Sequence, residues 1–295
     1  MVLLFNIIFQ VTDAISFLLL SAIGLAVIFG MMKIINLAHG EFITVGAYGT
    51  VVTAKMGLPL PIAMACGVLV TVIFGFILER LIIRYIYGRP LDSVVATWGI
   101  SLIVSQAFLI IFGPSTEGLK SPLGSFQVGD YSFSEYRILL IFVSFFILVL
   151  LYLLFMKSSF GTLARATIEK PVTSSALGVD VQKVYTITFC IGAGLAGLTG
   201  ALYIPTMTAV PSLGQAFIVS AFVSVVTAGA SPFVGLVPAA AFLGSFQTGI
   251  TFFYHATIGL IGLLFAVIMI IRFLPSGFSG LITVSYTHLT LPTKA

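Results

Sequence analysis

The sequence has 295 residues, of which 59% are hydrophobic and 7% are charged, with 13 Lys and Arg against 9 Asp and Glu. An ordinary soluble domain carries about 25% charged residues, so the composition excludes a soluble enzyme, a nucleic-acid-binding protein and a secreted disulfide scaffold. The apolar residues suffice for eight or nine spanning helices of about 20 residues each. Because the apolar runs are continuous, they also exclude a transmembrane β-barrel. The sequence therefore predicts an all-α polytopic membrane protein with 8–9 transmembrane helices.

Nine apolar segments are candidates for these helices. Residues 1–10 contain no Lys or Arg, so the charged region of a cleaved signal peptide is missing and we expect the first segment to stay as a helix. Two of the segments, Glu41–Met56 and Ala216–Ala228, are short, so we expect either to be tilted, re-entrant or half-buried. In chain order the segments are Ala14–Met31, Glu41–Met56, Ile62–Ile83, Val94–Phe112, Ile138–Met156, Val184–Ile204, Ala216–Ala228, Phe233–Phe253 and Thr257–Ile271.

The basic residues are unevenly divided between the two sets of connections. If all nine segments cross, most of the 13 basic residues fall on one side, namely Lys33, Arg80, Arg84, Arg89, Lys157, Arg165, Lys170, Lys183 and Arg272. The other side holds Lys55, Lys120 and Arg137, and Lys294 lies in the tail. Basic residues concentrate in cytoplasmic loops. We therefore expect the first side to face the cytoplasm and the amino terminus to lie outside.

The long polar connection on the basic side, Lys157–Lys183, is the best candidate for a functional loop. Pro171 suits a first helical turn, Val172–Leu177 follows it, and Gly178 is a natural end to a helix. An isolated helix of about two turns is marginal in water, so we expect it to dock on a partner; the alternative is a merely solvated loop. On the other side, Gly113–Tyr136 is rich in Gly, Pro and Ser and is expected to be irregular.

Two glycine-containing strings resemble functional motifs but have simpler interpretations. The run Gly192, Gly194 and Gly197 matches a dinucleotide fingerprint, yet it lies inside an apolar segment and is followed by Gly200. Small residues at this spacing let transmembrane helices pack closely, so we assign these four glycines to helix packing. The run Gly277–Gly280 resembles an intramembrane-protease motif, but no base is evident for its serine and a turn after the last helix is favoured.

The sequence offers no metal, cofactor or nucleotide site. The three histidines, His39, His255 and His288, form no zinc-ligand spacing. No phosphate-binding loop of the G-x-x-x-x-G-K-[ST] type occurs. We therefore predict no catalytic residues, no metal and no cofactor, and any ATP-driven work must come from another chain.

The polar residues inside the apolar segments are mostly neutral. Thr97, Ser101, Ser105 and Gln106 lie in one segment, where their spacing predicts a polar helix face. They either form hydrogen bonds between helices or line a path for a polar, uncharged or zwitterionic solute. Glu41 and Glu79 lie at segment ends on the basic side, where we expect Lys33, Arg80 and Arg84 either to pair with them or to reach to lipid headgroups. The lack of deeper charges disfavours a proton-driven carrier.

Several stretches resemble the permease subunits of bacterial branched-chain amino acid ABC importers. They are Gly24–Gly30; Ile35–Phe42, which contains Asn36, Ala38, His39, Gly40 and Glu41; Gly46–Tyr48; Gly161–Ala166; Ala176–Asp180; and Gly194–Tyr203. The resemblance covers about residues 10–282. The stretches Tyr87–Asp92 and Ala96–Gly99 are similar to the branch that includes urea-transport permeases.

The resemblance implies a division of labour between several chains in the bacterial inner (cytoplasmic) membrane. A solute-binding protein delivers the solute from outside, and a second homologous permease completes the path through the lipid. Two cytoplasmic ATPase subunits act on a short coupling helix, with Arg165, Pro171, Ala176, Leu177, Gly178 and Asp180 as the contact region within residues 161–183. The solute is a branched-chain amino acid, urea or an amide.

Two other classes of function stay open from the sequence. One is a passive channel or ion-coupled carrier for a small polar solute, and the other is an intramembrane enzyme. Residues 1–283 are expected to form one permease domain. Residues 284–295 have no recognisable counterpart in the family, and we expect them to be a non-native extension or a disordered tail.

Overall fold

The computed structural model describes residues 1–229 and 231–281, which include helices α1–α11, one β-hairpin and a short helical stretch at residues 277–281. The helices are α1 Val2–Met32, α2 His39–Lys55, α3 Leu60–Leu81, α4 Pro90–Phe112, α5 Glu135–Tyr152, α6 Ser159–Glu169, α7 Pro171–Ala176, α8 Val181–Tyr203, α9 Leu213–Ala228, α10 Pro232–Phe253 and α11 Ala256–Phe273. The hairpin strands are β1 Ser125–Val128 and β2 Tyr131–Ser134. Tight helical turns at Ile83–Tyr85 and Ile204–Thr206 follow α3 and α8, and a π-helical turn at Leu153–Lys157 follows α5.

The long helices form a bundle with two distinct ends. One end, which we call the basic end, brings together Lys33 after α1, Arg89 before α4 and Tyr185 near the start of α8 around one cavity. The opposite end, which we call the hairpin end, brings the first half of α1 against β2 and the start of α5. The first half of α1 and Lys33 after its end therefore lie at opposite ends of the bundle.

Local sequence explains where several helices begin and end. Pro90 and Pro171 stand in the first turns of α4 and α7, where a proline loses no helical hydrogen bond. Helix α1 ends at Met32, because the next residue, Lys33, has a left-handed backbone that turns the chain away; the Lys33 N–H still donates to the carbonyl of Phe29. The Asp180 carboxylate accepts the N–H of Lys183 at 3.0 Å and thereby caps α8.

Seven helices in the described part of the chain are long and apolar enough to cross a membrane. Helix α9, with 16 residues, and helix α2, with 17, are shorter. At 1.5 Å per residue each is roughly 25 Å long, less than the hydrocarbon core of about 30 Å. All nine predicted segments are helical, but helix length alone supports seven crossings and not the predicted eight or nine.

Helices α2 and α9 are short because both begin inside the bundle. Gly40, the second residue of α2, lies against Gly214, the second residue of α9. The N–H of Gly214 donates to Thr44 Oγ1 at 3.0 Å, so a side chain of α2 satisfies a free donor at the start of α9. From this contact the two helices diverge: Tyr48 of α2 packs on Phe112 at the carboxyl end of α4, whereas Gly229, directly after α9, lies against Ser276.

The four glycines assigned to packing lie on α8 where it meets α1, α2 and α3. A Cβ on Gly192 would come 2.5 Å from Ile28, and one on Gly194 would come 2.9 Å from Val72. A Cβ on Gly197 would lie 2.5 Å from Thr71, and one on Gly200 would overlap the carbonyl oxygen of Ile43. These positions therefore have no room for a larger residue, and the glycines allow backbones to approach closely.

Two connections contain more regular structure than the sequence indicated. The Gly113–Tyr136 segment, expected to be irregular, holds the β-hairpin, in which Val128 pairs with Tyr131 across Gly129 and Asp130. Gly129 has φ +63°, a conformation that a two-residue hairpin turn requires. The Lys157–Lys183 connection holds two helices, so Arg165 lies within α6 and not in a loop. The 284–295 tail lies outside the described residues.

Candidate functional site

The turn between α1 and α2 is held by hydrogen bonds from three elements. Asn36 Oδ1 accepts the N–H of Ala38 at 3.0 Å, which fixes the start of α2. The N–H of Leu37 donates to Thr97 Oγ1 of α4 at 3.0 Å. His39 Nε2 lies 3.1 Å from the carbonyl oxygen of Ser21 on α1, and because a carbonyl only accepts, Nε2 carries the proton. The turn therefore connects α1, α2 and α4.

The two glutamates at the expected segment ends bind neutral partners. Glu41 is buried, and its Oε1 accepts a hydrogen bond from Ser101 Oγ at 2.8 Å. Glu79 is also buried and lies 2.7 Å from the hydroxyl of Tyr87. Within residues 1–229 and 231–281, neither carboxylate has a Lys or Arg nitrogen within 4.0 Å. The pairing with Lys33, Arg80 or Arg84 is therefore not formed, because helix packing places neutral donors closer, and contact of these basic side chains with lipid headgroups stays a prediction.

At the basic end, Glu79 connects three segments through one carboxylate. Its Oε1 accepts from the Tyr87 hydroxyl and from Gln182 Nε2 at 3.2 Å, and its Oε2 accepts from Thr186 Oγ1 at 3.0 Å. Burial and the neighbouring Glu79 carboxylate raise the pKa of Tyr87 far above its usual value. The phenol therefore keeps its proton and remains a donor. We call Glu79, Tyr87, Gln182 and Thr186 the Glu79 network.

The four polar residues of α4 do not share one environment. Thr97 is fully buried and also donates to the carbonyl of Ser93 at 2.6 Å, while Ser101 binds Glu41. Ser105 is mostly buried and donates to the carbonyl of Leu102 at 3.2 Å. Gln106 is exposed on the surface of the chain. None of the four lines the cavity at the hairpin end.

The hairpin end contains a cavity of about 550 Å³ between α1, β2, α5, α10 and the ends of α8 and α11. Its wall combines aromatic rings with polar side chains, which are Asn6, Phe9, Gln10, Asp13, Phe17, Tyr131, Ser132, Phe133, Arg137, Tyr203, Thr206, Gln247, Thr248 and Thr251. We call it the hairpin-end cavity. Of these residues, the sequence indicated Arg137 as an outer basic residue, Gln247 as a neutral polar residue inside an apolar segment, and Tyr203 within the stretch Gly194–Tyr203 that resembles the permease family.

An ion pair lies in the wall of this cavity. Arg137 Nη1 of α5 lies 2.9 Å from Asp13 Oδ2 of α1, and the two side chains are 52% and 20% exposed. One helical turn away, Gln10 Nε2 donates to Asn6 Oδ1 at 3.0 Å. Asp13 was not predicted as a site residue, because it directly precedes the apolar run that begins at Ala14. A carboxylate at the edge of such a run is the signal that could have identified it.

Helices α6 and α7 form an exposed surface at the basic end. Helix α6 buries Gly161, Ala164 and Thr167 against the bundle, and Ser158 caps it by accepting the N–H of Gly161 at 3.0 Å. Arg165 is exposed and donates to the carbonyl of Gly161 at 3.3 Å. This surface begins directly after the π-helical turn of α5.

Helix α7 exposes nearly all of its side chains. Val172 and Leu177 are 82% and 80% exposed, and Pro171 and Ala176 are exposed as well. Gly178 follows with φ +86°, and its Cβ position faces open space. Asp180 forms an ion pair with Lys183 at 3.1 Å. The Lys183 N–H and ammonium group hold the pKa of Asp180 below its usual value, so the cap of α8 persists at neutral pH.

Two features would indicate enzyme chemistry in the described ranges, namely a metal-ligand cluster and a reactive serine in the Gly277–Gly280 run. The described ranges contain no group of three or more His, Cys, Asp or Glu side chains that could hold a metal ion. Ser279 of the Gly277–Gly280 run is buried, and its hydroxyl accepts the N–H of Ser231 at 3.2 Å. That serine therefore connects the helical residues 277–281, which follow α11, to Ser231 directly before α10.

Known proteins similar to this chain are membrane transport subunits. The model of a family described as "Branched-chain amino acid transport system / permease component" matches residues 7–273. The probable branched-chain amino acid transport permease protein LivH of Methanocaldococcus jannaschii is 29% identical over 257 residues, covering 82% of this chain and 79% of that protein. The permease protein BraD of the high-affinity branched-chain amino acid transport system of Pseudomonas aeruginosa is 29% identical over 248 residues, covering 78% and 79%.

A more distant relative has a different subunit name. The probable permease protein LivM of Methanocaldococcus jannaschii is 27% identical over 176 residues, which cover 56% of this chain and 50% of that protein. No solved structure matches the chain.

The fold and these matches define a multi-pass permease subunit of the inner membrane. The chain belongs to the family of permease components of branched-chain amino acid transport systems, and it is a permease subunit of an ABC importer.

Proposed function

We propose that this chain and a second permease of the same family form the membrane path of an importer that two separate ATPase chains drive. The names of the LivH and LivM relatives support the second permease, because both kinds of permease protein occur in one organism. A soluble binding protein would deliver the solute at the hairpin end, which the charge pattern assigns to the outside.

The observation that carries this proposal is the exposed surface of α6 and α7. Val172 and Leu177 are large apolar side chains at an end of the bundle that is rich in Lys and Arg. Such side chains on a short helix with few contacts to the bundle favour docking on another protein. The ATPase would contact Arg165, Pro171, Ala176 and Leu177, while Gly178 and Asp180 end α7 and start α8.

The solute that we propose is a branched-chain amino acid, the substrate class in the names of the relatives. Urea or a short amide is the second candidate, because Tyr87–Asp92 and Ala96–Gly99 resemble urea-transport permeases. Of the four polar residues on α4, Gln106 is the exposed one, so we propose that it meets the solute or the second permease. Thr97, Ser101 and Ser105 instead connect α4 within the chain.

The test is solute-stimulated ATP hydrolysis by the complete importer in proteoliposomes. We expect Ala176→Asp to abolish stimulation, because a charge would be buried against the ATPase. Gly178→Val should act similarly, because a β-branched residue at φ +86° is strained by about 1–2 kcal/mol. The control Ser121→Asp places the same charge on an exposed position at the hairpin end and should leave hydrolysis unchanged.

Two results would contradict the proposal. Stimulation and uptake at wild-type levels in both α7 variants would make the α6–α7 surface a simple connector. Full solute uptake by the chain in liposomes without any ATPase would instead support a passive channel or an ion-coupled carrier.

A further inference from the structure

We propose that the hairpin-end cavity is a binding site for a zwitterionic amino acid, with Arg137 holding the carboxylate and Asp13 the ammonium group. The proposal rests on the importer function above and names the class of solute that this chain itself recognises. It is independent of where the ATPase docks.

The charges at the cavity match the two ends of an amino acid. A guanidinium presents donors in a planar fork that suits a carboxylate. A carboxylate accepts hydrogen bonds from an ammonium group. Arg137 and Asp13 lie 2.9 Å apart, so both can reach the adjacent charged groups on one α-carbon. The amides of Asn6 and Gln10 lie in the same wall and add further donors and acceptors.

The position of Arg137 is not the one that helix stability favours. Arg137 is the third residue of α5, where the positive end of the helix dipole disfavours a cation. Asp13 lies on α1 at the edge of the apolar run that begins at Ala14, where a carboxylate is costly. Helix packing between α1 and α5 could be served by apolar residues alone. Both charges therefore oppose the local preference of their helices, which is typical of residues kept for binding.

The rest of the wall suits an apolar side chain. Phe9 and Phe133 meet edge to face with their ring centroids 4.9 Å apart, and Phe17 lies 5.3 Å from Tyr203. These rings border the cavity beside the ion pair. The volume of about 550 Å³ lies within the range of about 300–1,000 Å³ that is usual for small-molecule sites. The cavity thus combines a cation, an anion and an aromatic surface.

The existing ion pair does not close the site. Because Arg137 is 52% exposed, its attraction to Asp13 is screened by water. A zwitterion that inserts between the two side chains replaces one charge pair with two. A neutral solute such as urea has no charged group to pair with either side chain. A simple carboxylate would pair with Arg137 but would leave Asp13 without a cation.

Saturation-transfer NMR on the assembled permease–ATPase complex in nanodiscs, without ATP or binding protein, tests the site. The probes are L-leucine, 4-methylpentanoate, which lacks the ammonium group, leucinamide, which lacks the carboxylate, and urea. We expect L-leucine to bind at least about tenfold more tightly than the other three, since each lost charge-assisted bond is worth about one power of ten. Equal binding of 4-methylpentanoate or urea would overturn the proposal.

Variants assign the signal to this chain. Asp13→Asn and Arg137→Gln should each weaken leucine binding about tenfold or more. The control Asp92→Asn removes a carboxylate from the exposed Arg89–Asp92 pair at the basic end and should leave binding unchanged. The double variant Asp13→Arg with Arg137→Asp keeps an ion pair but reverses it relative to the aromatic wall, so leucine binding should stay weak.

Recovery of full leucine binding in the double variant would show that the pair only joins α1 to α5, which would overturn the proposal. Because the binding measurement contains no ATP, an absence of leucine binding would contradict the proposed site and not the proposed coupling to the ATPase. The coupling proposal would be contradicted separately, by unchanged ATP hydrolysis in the α7 variants.

Discussion

The two ends of the bundle hold their carboxylates in opposite ways. At the basic end, Glu79 is fully buried and accepts from three neutral side chains. At the hairpin end, Asp13 borders a cavity and has one charged partner, Arg137, which is half exposed. A fully satisfied buried group makes a rigid connection, whereas a charge at a cavity can exchange partners. The difference indicates that Glu79 holds segments of the basic end together, whereas the charged pair at the hairpin end is available for a ligand.

The largest expected difference between the two ends is their accessibility to a reagent that cannot cross the membrane. Single cysteines are placed at Ser125 of β1 and Ser175 of α7, both exposed, after Cys66 and Cys190 are replaced. A membrane-impermeant thiol reagent should label Ser125→Cys in intact cells and Ser175→Cys only after permeabilisation, because basic connections face the cytoplasm. Labelling of both from the same side would refute the division into an inner and an outer end.

The Glu79 network should carry much of the stability of the basic end. Glu79→Ala leaves the donors of Tyr87 and Gln182 without this acceptor, while the Thr186 hydroxyl keeps the carbonyl of Gln182, so we expect a loss of about 3 kcal/mol in unfolding free energy. Thermal unfolding of the purified protein measures it, with Glu117→Ala, at an exposed position, as the control. By contrast, Asp13→Asn should cost less than about 1 kcal/mol, as for other solvent-screened pairs. Equal losses at both ends would remove the distinction between them.

A smaller effect is expected when one donor of the network is removed. Tyr87→Phe deletes the 2.7 Å hydrogen bond to Glu79 and should cost about 1.5 kcal/mol, since the carboxylate keeps its other two partners. In the Glu79→Ala background, the same change should cost far less, because the bond is already absent. Thermal unfolding of the two single variants and the double variant measures this coupling. Strictly additive losses would mean that Tyr87 and Glu79 stabilise the protein independently.

The positions of the helices were predictable from the sequence, but their depth and partners were not. Continuous apolar runs located all nine segments, because burial in lipid demands them. The meeting of Gly40 with Gly214 depends on contacts between residues far apart in sequence, so no local pattern could place α2 and α9 inside the bundle. Glu79 was expected to pair with a nearby basic residue such as Arg80 for a similar reason. Two of its hydrogen-bond partners, Gln182 and Thr186, lie about a hundred residues further along the chain, so no local pattern could indicate them.

The candidate site was only partly predictable for a related reason. The Pro171 and Gly178 signals located α7, because helix ends depend on local backbone preferences. Asp13 and Arg137 are separated by more than a hundred residues, and only the packing of α1 on α5 brings them together. The spacing on α4 predicted one polar face, but Ser101 faces Glu41 while Gln106 faces outward.

That separation on α4 leads to the smallest expected effect. Gln106 is exposed and Ser101 is bonded inside the chain, so Gln106→Leu should change neither folding nor the amount of assembled importer. If Gln106 meets the solute beyond the hairpin-end cavity, leucine uptake per complex should fall by a few-fold, roughly the value of one hydrogen bond. Ser105→Ala, beside it on the same helix but bonded to the carbonyl of Leu102, is the matched control and should transport normally. Uptake and complex yield are measured together in proteoliposomes. A lower yield with unchanged uptake per complex would place Gln106 at the contact with the second permease, and full activity on both measures would exclude it from either role.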